Sequence, residues 1–155
     1  MRKYLFIFVC LLFLVGCSTE KENEKYAYLE YKNDLETQKV YNDDDSLDFD
    51  TYFNIVRNRE DNEVVEYSIV IDKPKVDMHD VKALLIHDYM NEDVFPSVGI
   101  FDTPVDLIKD NDDKIKLTGK IYTDTSINDI NFKLYLEYTG NDGVLNKIYY
   151  EVKRG

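Results

Sequence analysis

Tryptophan is absent from this 155-residue chain, and histidine, cysteine, proline and glycine are scarce, at two, two, three and six residues. Basic residues are outnumbered, 19 Lys and Arg against 31 Asp and Glu, for a net charge of −12. That balance argues against a nucleic-acid partner, because affinity for a phosphate backbone comes mainly from clustered Lys and Arg releasing counterions. An anionic membrane surface would repel the chain for the same reason, so any attachment to a bilayer has to be covalent or apolar. No Gly-x-Ser-x-Gly, Gly-rich phosphate loop or His-Glu-x-x-His pattern occurs, so the common catalytic frameworks lack their residues. What the chain does have is 13 Tyr, 8 Phe and 44% hydrophobic residues. Those totals describe one aromatic-rich acidic domain, too short for two full domains and too apolar to be wholly disordered.

The amino terminus carries the clearest pattern. Arg2 and Lys3 precede an unbroken apolar run from Tyr4 to Val15, the layout of a secretory signal peptide. The run is shorter than the roughly 20 residues a spanning helix needs. It closes with Leu14-Val15-Gly16-Cys17, followed by Ser18 and Thr19. This stretch resembles the lipobox of bacterial lipoproteins. The resemblance implies cleavage after Gly16, a diacylglyceryl group on the Cys17 sulfur, and a membrane partner held through that lipid on the extracytoplasmic face. Two buried acyl chains suffice for stable anchoring where one is marginal, at about 0.8 kcal/mol per buried CH₂. An uncleaved anchor or ordinary secretion would also leave the domain outside the cytoplasm. Cys10 would leave with the signal and Cys17 would be consumed by lipid, so no thiol remains for a disulfide, a metal or a nucleophile.

Three segments follow from this pattern: a signal peptide over 1–16, a lipidated Cys and polar spacer over 17–46, and a β-domain over 47–155. The spacer is rich in Glu, Lys, Asn and Asp and ends in Asn42-Asp43-Asp44-Asp45, a composition that extends and solvates a segment. Tyr26, Tyr28, Leu29 and Tyr31 interrupt it, as an edge strand, a short helix or a sticky patch. Beyond Leu47 the apolar pattern has period two. It predicts strands over 48–57, 63–72, 82–90, 115–123, 131–138 and 145–153, with a short seventh near 97–101 and a local helix around 104–109. Seven short strands without a long amphipathic helix predict an all-β antiparallel sandwich. Its strand order resembles the immunoglobulin-like fold, although the Cys pair and core Trp of antibody-type domains are missing. Another Greek-key sandwich or a small barrel is the alternative.

In the last hairpin the apolar sets put Leu136 opposite Ile148, and this register then matches Glu137 with Lys147 and Lys133 with Glu151. Tyr135 faces Tyr149 between these charges on the outward side. The pair reads either as cross-strand stabilisation or as a contact patch for a protein partner.

Chemistry-bearing groups are few. His87 beside Asp88 reads as a partly exposed imidazole with one hydrogen bond. Met78, His79, His87 and Met90 contain copper-type donors but no compact repeat. The loop Asp124 to Asp129 starts like a calcium loop, yet it lacks the Gly at its sixth position and has Tyr135 where a Glu is needed at the twelfth. Asp43 to Asp50 and Asp110 to Asp113 could also gather carboxylates. The reading is therefore a non-enzymatic domain with no cofactor and no metal site, anchored through Cys17. It binds a protein or supports an envelope assembly, an exclusion or immunity lipoprotein being one version. A ligand- or cation-binding accessory lipoprotein of a transporter or sensor is the alternative.

Overall fold

The computed structural model describes residues 20–61, 63–89, 94–124 and 126–153, and its one long helix, α1 (Arg2–Thr37), has bounds reaching back through side chains that it does not describe. The lipobox and Cys17 lie outside the described residues, as does Met90. Among the described residues eight strands follow: β1 (Asp50–Arg57), β2 (Val64–Asp72), β3 (Met78–His87), β4 (Ser97–Val98), β5 (Val105–Leu107), β6 (Ile115–Tyr122), β7 (Phe132–Thr139) and β8 (Leu145–Glu151). All strand pairs are antiparallel. One sheet runs β1-β2-β6 and the other β4-β3-β7-β8, with β5 also paired to β3. The fold is thus an all-β sandwich of two antiparallel sheets.

Period-two alternation accounts for the space between the sheets. Val65, Tyr67, Ile69 and Ile71 of β2 and Ile115, Leu117 and Ile121 of β6 face Val81, Ala83 and Leu85 of β3 and Phe132, Leu134, Leu136 and Tyr138 of β7 in one buried cluster. Each fully buried Leu or Ile contributes about 1.5–3 kcal/mol, which lets a core hold the domain without a disulfide. Gly119 lies opposite Tyr67, and a Cβ there would fall within 2.2 Å of the Tyr67 hydroxyl oxygen. The glycine is what lets that ring lie flat across the neighbouring strand.

Four expectations need correction. Residues 105–107 form a strand paired with β3 rather than a helix, because a three-residue extended segment completes the edge that β3 offers below its bulge. That bulge, between Met78 and Val81 with Asp80 at φ +52, also starts β3 four residues earlier than the apolar alternation indicates. His87 is buried, with its ring set edge-on to Tyr67, Phe95 and Phe132 at 5.0–5.7 Å, rather than partly exposed.

The fourth correction concerns the spacer. Residues 20–37 are helical, and Tyr28, Tyr31 and Leu35 recur at i, i+3 and i+7, a helical face. Tyr28 and Leu35 are buried in a second cluster with Leu84, Ile86, Phe95, Ile100 and Tyr135. The molecule therefore has three layers, helix on sheet on sheet; of the alternatives for 26–31 the helix is the one formed, and it replaces an extended tether from Tyr28 onward. The remaining segment is held as well: Asn42 donates its N–H to the Tyr149 carbonyl at 2.6 Å and accepts the Tyr149 N–H on its side-chain oxygen at 3.0 Å.

Candidate functional site

The hairpin register is the one the charge and apolar patterns specify, with Leu136 opposite Ile148, Glu137 opposite Lys147, Lys133 opposite Glu151 and Tyr135 opposite Tyr149. The two tyrosines meet edge-on, with centroids 5.4 Å apart. Neither forms an open patch. Tyr135 is fully buried beneath α1, stacked on Tyr31 at 4.8 Å, and Tyr149 is half-buried beside it. A contact face for a partner cannot be built on Tyr135, because α1 already occupies it.

The carboxylate of Glu137 organises this covered face. It turns away from Lys147 and accepts from Lys82 Nζ at 2.8 Å and from the Tyr31 hydroxyl at 3.0 Å on one oxygen, while the Tyr135 hydroxyl donates to the other. Lys82 Nζ also reaches the Tyr31 oxygen at 3.3 Å. Strand β3 supplies the cation, β7 the anion, and α1 the phenol that closes the set. Burial works against the charge on Glu137, but the hydrogen bonds from Lys82, Tyr135 and Tyr31 outweigh it and hold the carboxyl below its usual range. Burial likewise opposes the charge on Lys82, and Glu137 more than restores it, so the ammonium stays charged above its usual range. Burial, then the Glu137 charge, pushes the Tyr31 phenol up, and burial with the Glu137 hydrogen bond pushes Tyr135 up further. Such a set presents no nucleophile or free base. Its chemistry is that of a latch, three elements pinned to one buried carboxylate.

Sequence reasoning did not find Lys82 or Tyr31 as members of this set. Two signals pointed to it: the 28-31-35 spacing, and the continuous apolar run Ala83 to Ile86 in β3, which marks a strand buried on both faces.

A second polar set lies at the surface. His79 Nδ1 is 3.2 Å from an Asp106 oxygen, and its Nε2 is 3.0 Å from the side-chain oxygen of Asn141. Asn141 presents that oxygen because its amide nitrogen donates to Asp77 at 2.9 Å. Both ring nitrogens thus face acceptors, a geometry complete only for the imidazolium. Asp106 first, then Asn141, raise the His79 pKa accordingly. The other Asp106 oxygen accepts the Asp80 N–H at 3.0 Å.

Among the described residues no three or more His, Cys, Asp or Glu side chains gather as a metal site would require. Within the Asp124 to Asp129 loop, Ile127–Asp129 forms a single 3-10 turn, and the Ser126 side chain at its start accepts the Asn128 N–H. An open cleft of about 490 Å³ lies between β1 and the end of β8, lined by Asp44, Phe49, Tyr52, Tyr150 and Lys153 among others. Its charged groups are engaged with one another: Tyr150 and Lys153 both donate to Asp44, at 2.6 and 2.8 Å.

Among the described residues, nothing covers the outer face of the three-stranded sheet. Its rows, set by register, are Tyr52-Val70-Lys116, Asn54-Ser68-Thr118 and Val56-Glu66-Lys120, with Tyr122 at one end. Tyr52, Val56 and Tyr122 are exposed. Glu66 and Lys120 pair at 3.0 Å across two strands. No protein-family model matches the chain, and neither a curated protein nor a solved structure matches it.

Proposed function

We propose that this chain is a lipid-anchored extracytoplasmic lipoprotein whose sandwich is a non-enzymatic binding module. Cys17 carries the lipid, and the outer face of the β1-β2-β6 sheet meets a protein partner. One observation carries the reading. The helix that continues from the lipobox is latched over the five-stranded sheet, which leaves the three-stranded face as the broad open surface of the sandwich. That face joins exposed Tyr52, Val56 and Tyr122 to a central row of short polar side chains. Tyrosine-rich, mixed surfaces of this kind suit protein recognition, where large rigid rings give contact area at low entropy cost.

The test uses the full chain in its own cells, labelled with fatty acid and carrying a photocrosslinking residue at position 118. Wild type should incorporate label and Cys17→Ala should not. Position 118 should yield one discrete adduct that is absent when the crosslinker stands at exposed Asp112 and is lost in Tyr52→Ala/Tyr122→Ala. Equal labelling of Cys17→Ala overturns the anchor. The same adduct from position 112, or one that survives the double substitution, overturns the face.

A further inference from the structure

Large apolar side chains crowd the place where α1 leaves the domain toward the amino terminus. Tyr26 is 69% exposed, Leu29 46%, Val94 63% and Phe101 41%. Each is in, or within two residues of, a rigid aromatic knot. Tyr28, itself buried, accepts the Phe95 N–H on its hydroxyl at 2.7 Å and packs against the Phe101 ring at 5.1 Å. Lys32 Nζ lies over the Phe95 ring at 5.0 Å. The four exposed residues therefore border this knot as a rim, on two separate parts of the chain that the knot ties together.

We propose that this rim rests on the bilayer that receives the lipid of Cys17, so that the domain is seated on the membrane and does not swing on a free tether. The inference rests on the lipid-anchor reading. Nine residues separate Cys17 from Tyr26, about 14 Å as a helix and no more than about 32 Å fully extended. The lipidated end of the chain and the rim are thus neighbours by covalent length. The chemistry of the rim fits an interface: the Tyr26 phenol offers an apolar ring with a polar tip, the arrangement enriched at headgroup level. Leu29, Val94 and Phe101 add apolar area without charge. Contact of this kind does not rely on anionic lipid, which an acidic domain would meet with repulsion.

The absence of tryptophan makes the test direct. Tyr26→Trp, Phe101→Trp and, on the open sheet face, Tyr122→Trp are each made in the full lipidated chain. Each is reconstituted in phosphatidylcholine vesicles with or without acyl chains brominated just below the headgroup. Trp at 26 and at 101 should shift to the blue and lose emission to the brominated lipid, while Trp at 122 should do neither. If the protein floats with the vesicles but positions 26 and 101 behave like 122, or only 26 is quenched, the seating is wrong and the anchor stands. Quenching at all three positions also overturns it, as nonspecific adsorption. A chain that does not float and carries no acyl mass on Cys17 overturns the anchor reading and the seating with it.

Discussion

Lys82→Met removes the cation from the latch while keeping the length and apolar stem of the side chain, and its cost follows from what stays behind. Glu137 is buried, and breaking a buried ion pair by deleting one partner costs about 3–5 kcal/mol, mostly for the stranded charge. Lys82 keeps 31% side-chain exposure, and two tyrosine hydroxyls still donate to the carboxylate. The lower end, about 3 kcal/mol at neutral pH, is therefore expected, a fall in melting temperature on the order of 10 °C for a domain of this size. The pH dependence carries the sharper test. In the wild type the folded Glu137 carboxyl sits below its usual pKa. Its contribution is therefore present above the unfolded carboxyl range and is lost as pH falls through the folded value. The gap between wild type and Lys82→Met should accordingly be widest near neutrality and shrink as pH falls through the carboxylate range, where a protonated Glu137 no longer needs the ammonium. Lys82 itself is raised, so its share persists below the unfolded lysine pKa and fades only as pH climbs through the folded one. Urea titrations of both proteins across the acidic to neutral range measure the gap, and Lys82→Met/Glu137→Leu should recover most of the loss. A gap that does not vary with pH, or one below about 1 kcal/mol at neutrality, the size of a surface pair, would refute the buried latch.

Leu35→Ala should cost about 2–5 kcal/mol, the range for emptying a buried leucine site, and amide exchange across 28–37 should quicken far more than exchange in β2; equal protection in variant and wild type would mean that α1 is not part of the folded unit. The His79 ring should titrate above the usual histidine value by NMR and move back down in Asn141→Ala. Because its folded pKa is raised, the tie from β3 to the hairpin loop is full below the unfolded histidine pKa and loosens as pH rises through the folded one, so exchange in 140–144, corrected for its intrinsic pH dependence, should speed up over that interval.

The strands were legible because one physical rule governs them, apolar alternation across a two-sheet core, and the hairpin register was legible because charge and apolar matches agreed on it. The helix layer was harder to read for a reason visible in its residues. Only Tyr28, Tyr31 and Leu35 face the sheet, and around them Glu, Lys and Asn serve a solvated helix as well as they would serve a coil. The outward set of β7 shows the same ambiguity from the other side. Lys133, Tyr135 and Glu137 look like a solvent face, yet Glu137 finds its cation on β3 and Lys133 Nζ lies over the Tyr41 ring at 5.3 Å. Local pattern cannot announce partners that are distant in sequence. The strand β5 is too short for alternation to register at all.

The latch and the Asn42 clasp join the two ends of the chain. Tyr31 meets Glu137 across 106 positions, Tyr149 meets Asn42 across 107, and Lys153 meets Asp44 across 109. Synthesis makes the helix at the start and β8 at the end, so the helix has no seat until β7 has been made. Contacts of such wide sequence separation form late, after the loop-closure entropy has been met. A product stopped before Leu145 would leave the outer flank of β7, and the clasp meant for β8, without their strand. Its open edge would be available to another copy. The seven-residue strand β8 thus closes the edge of β7 and carries the clasp for the segment that follows α1, so the sheet is finished only once that strand has been made.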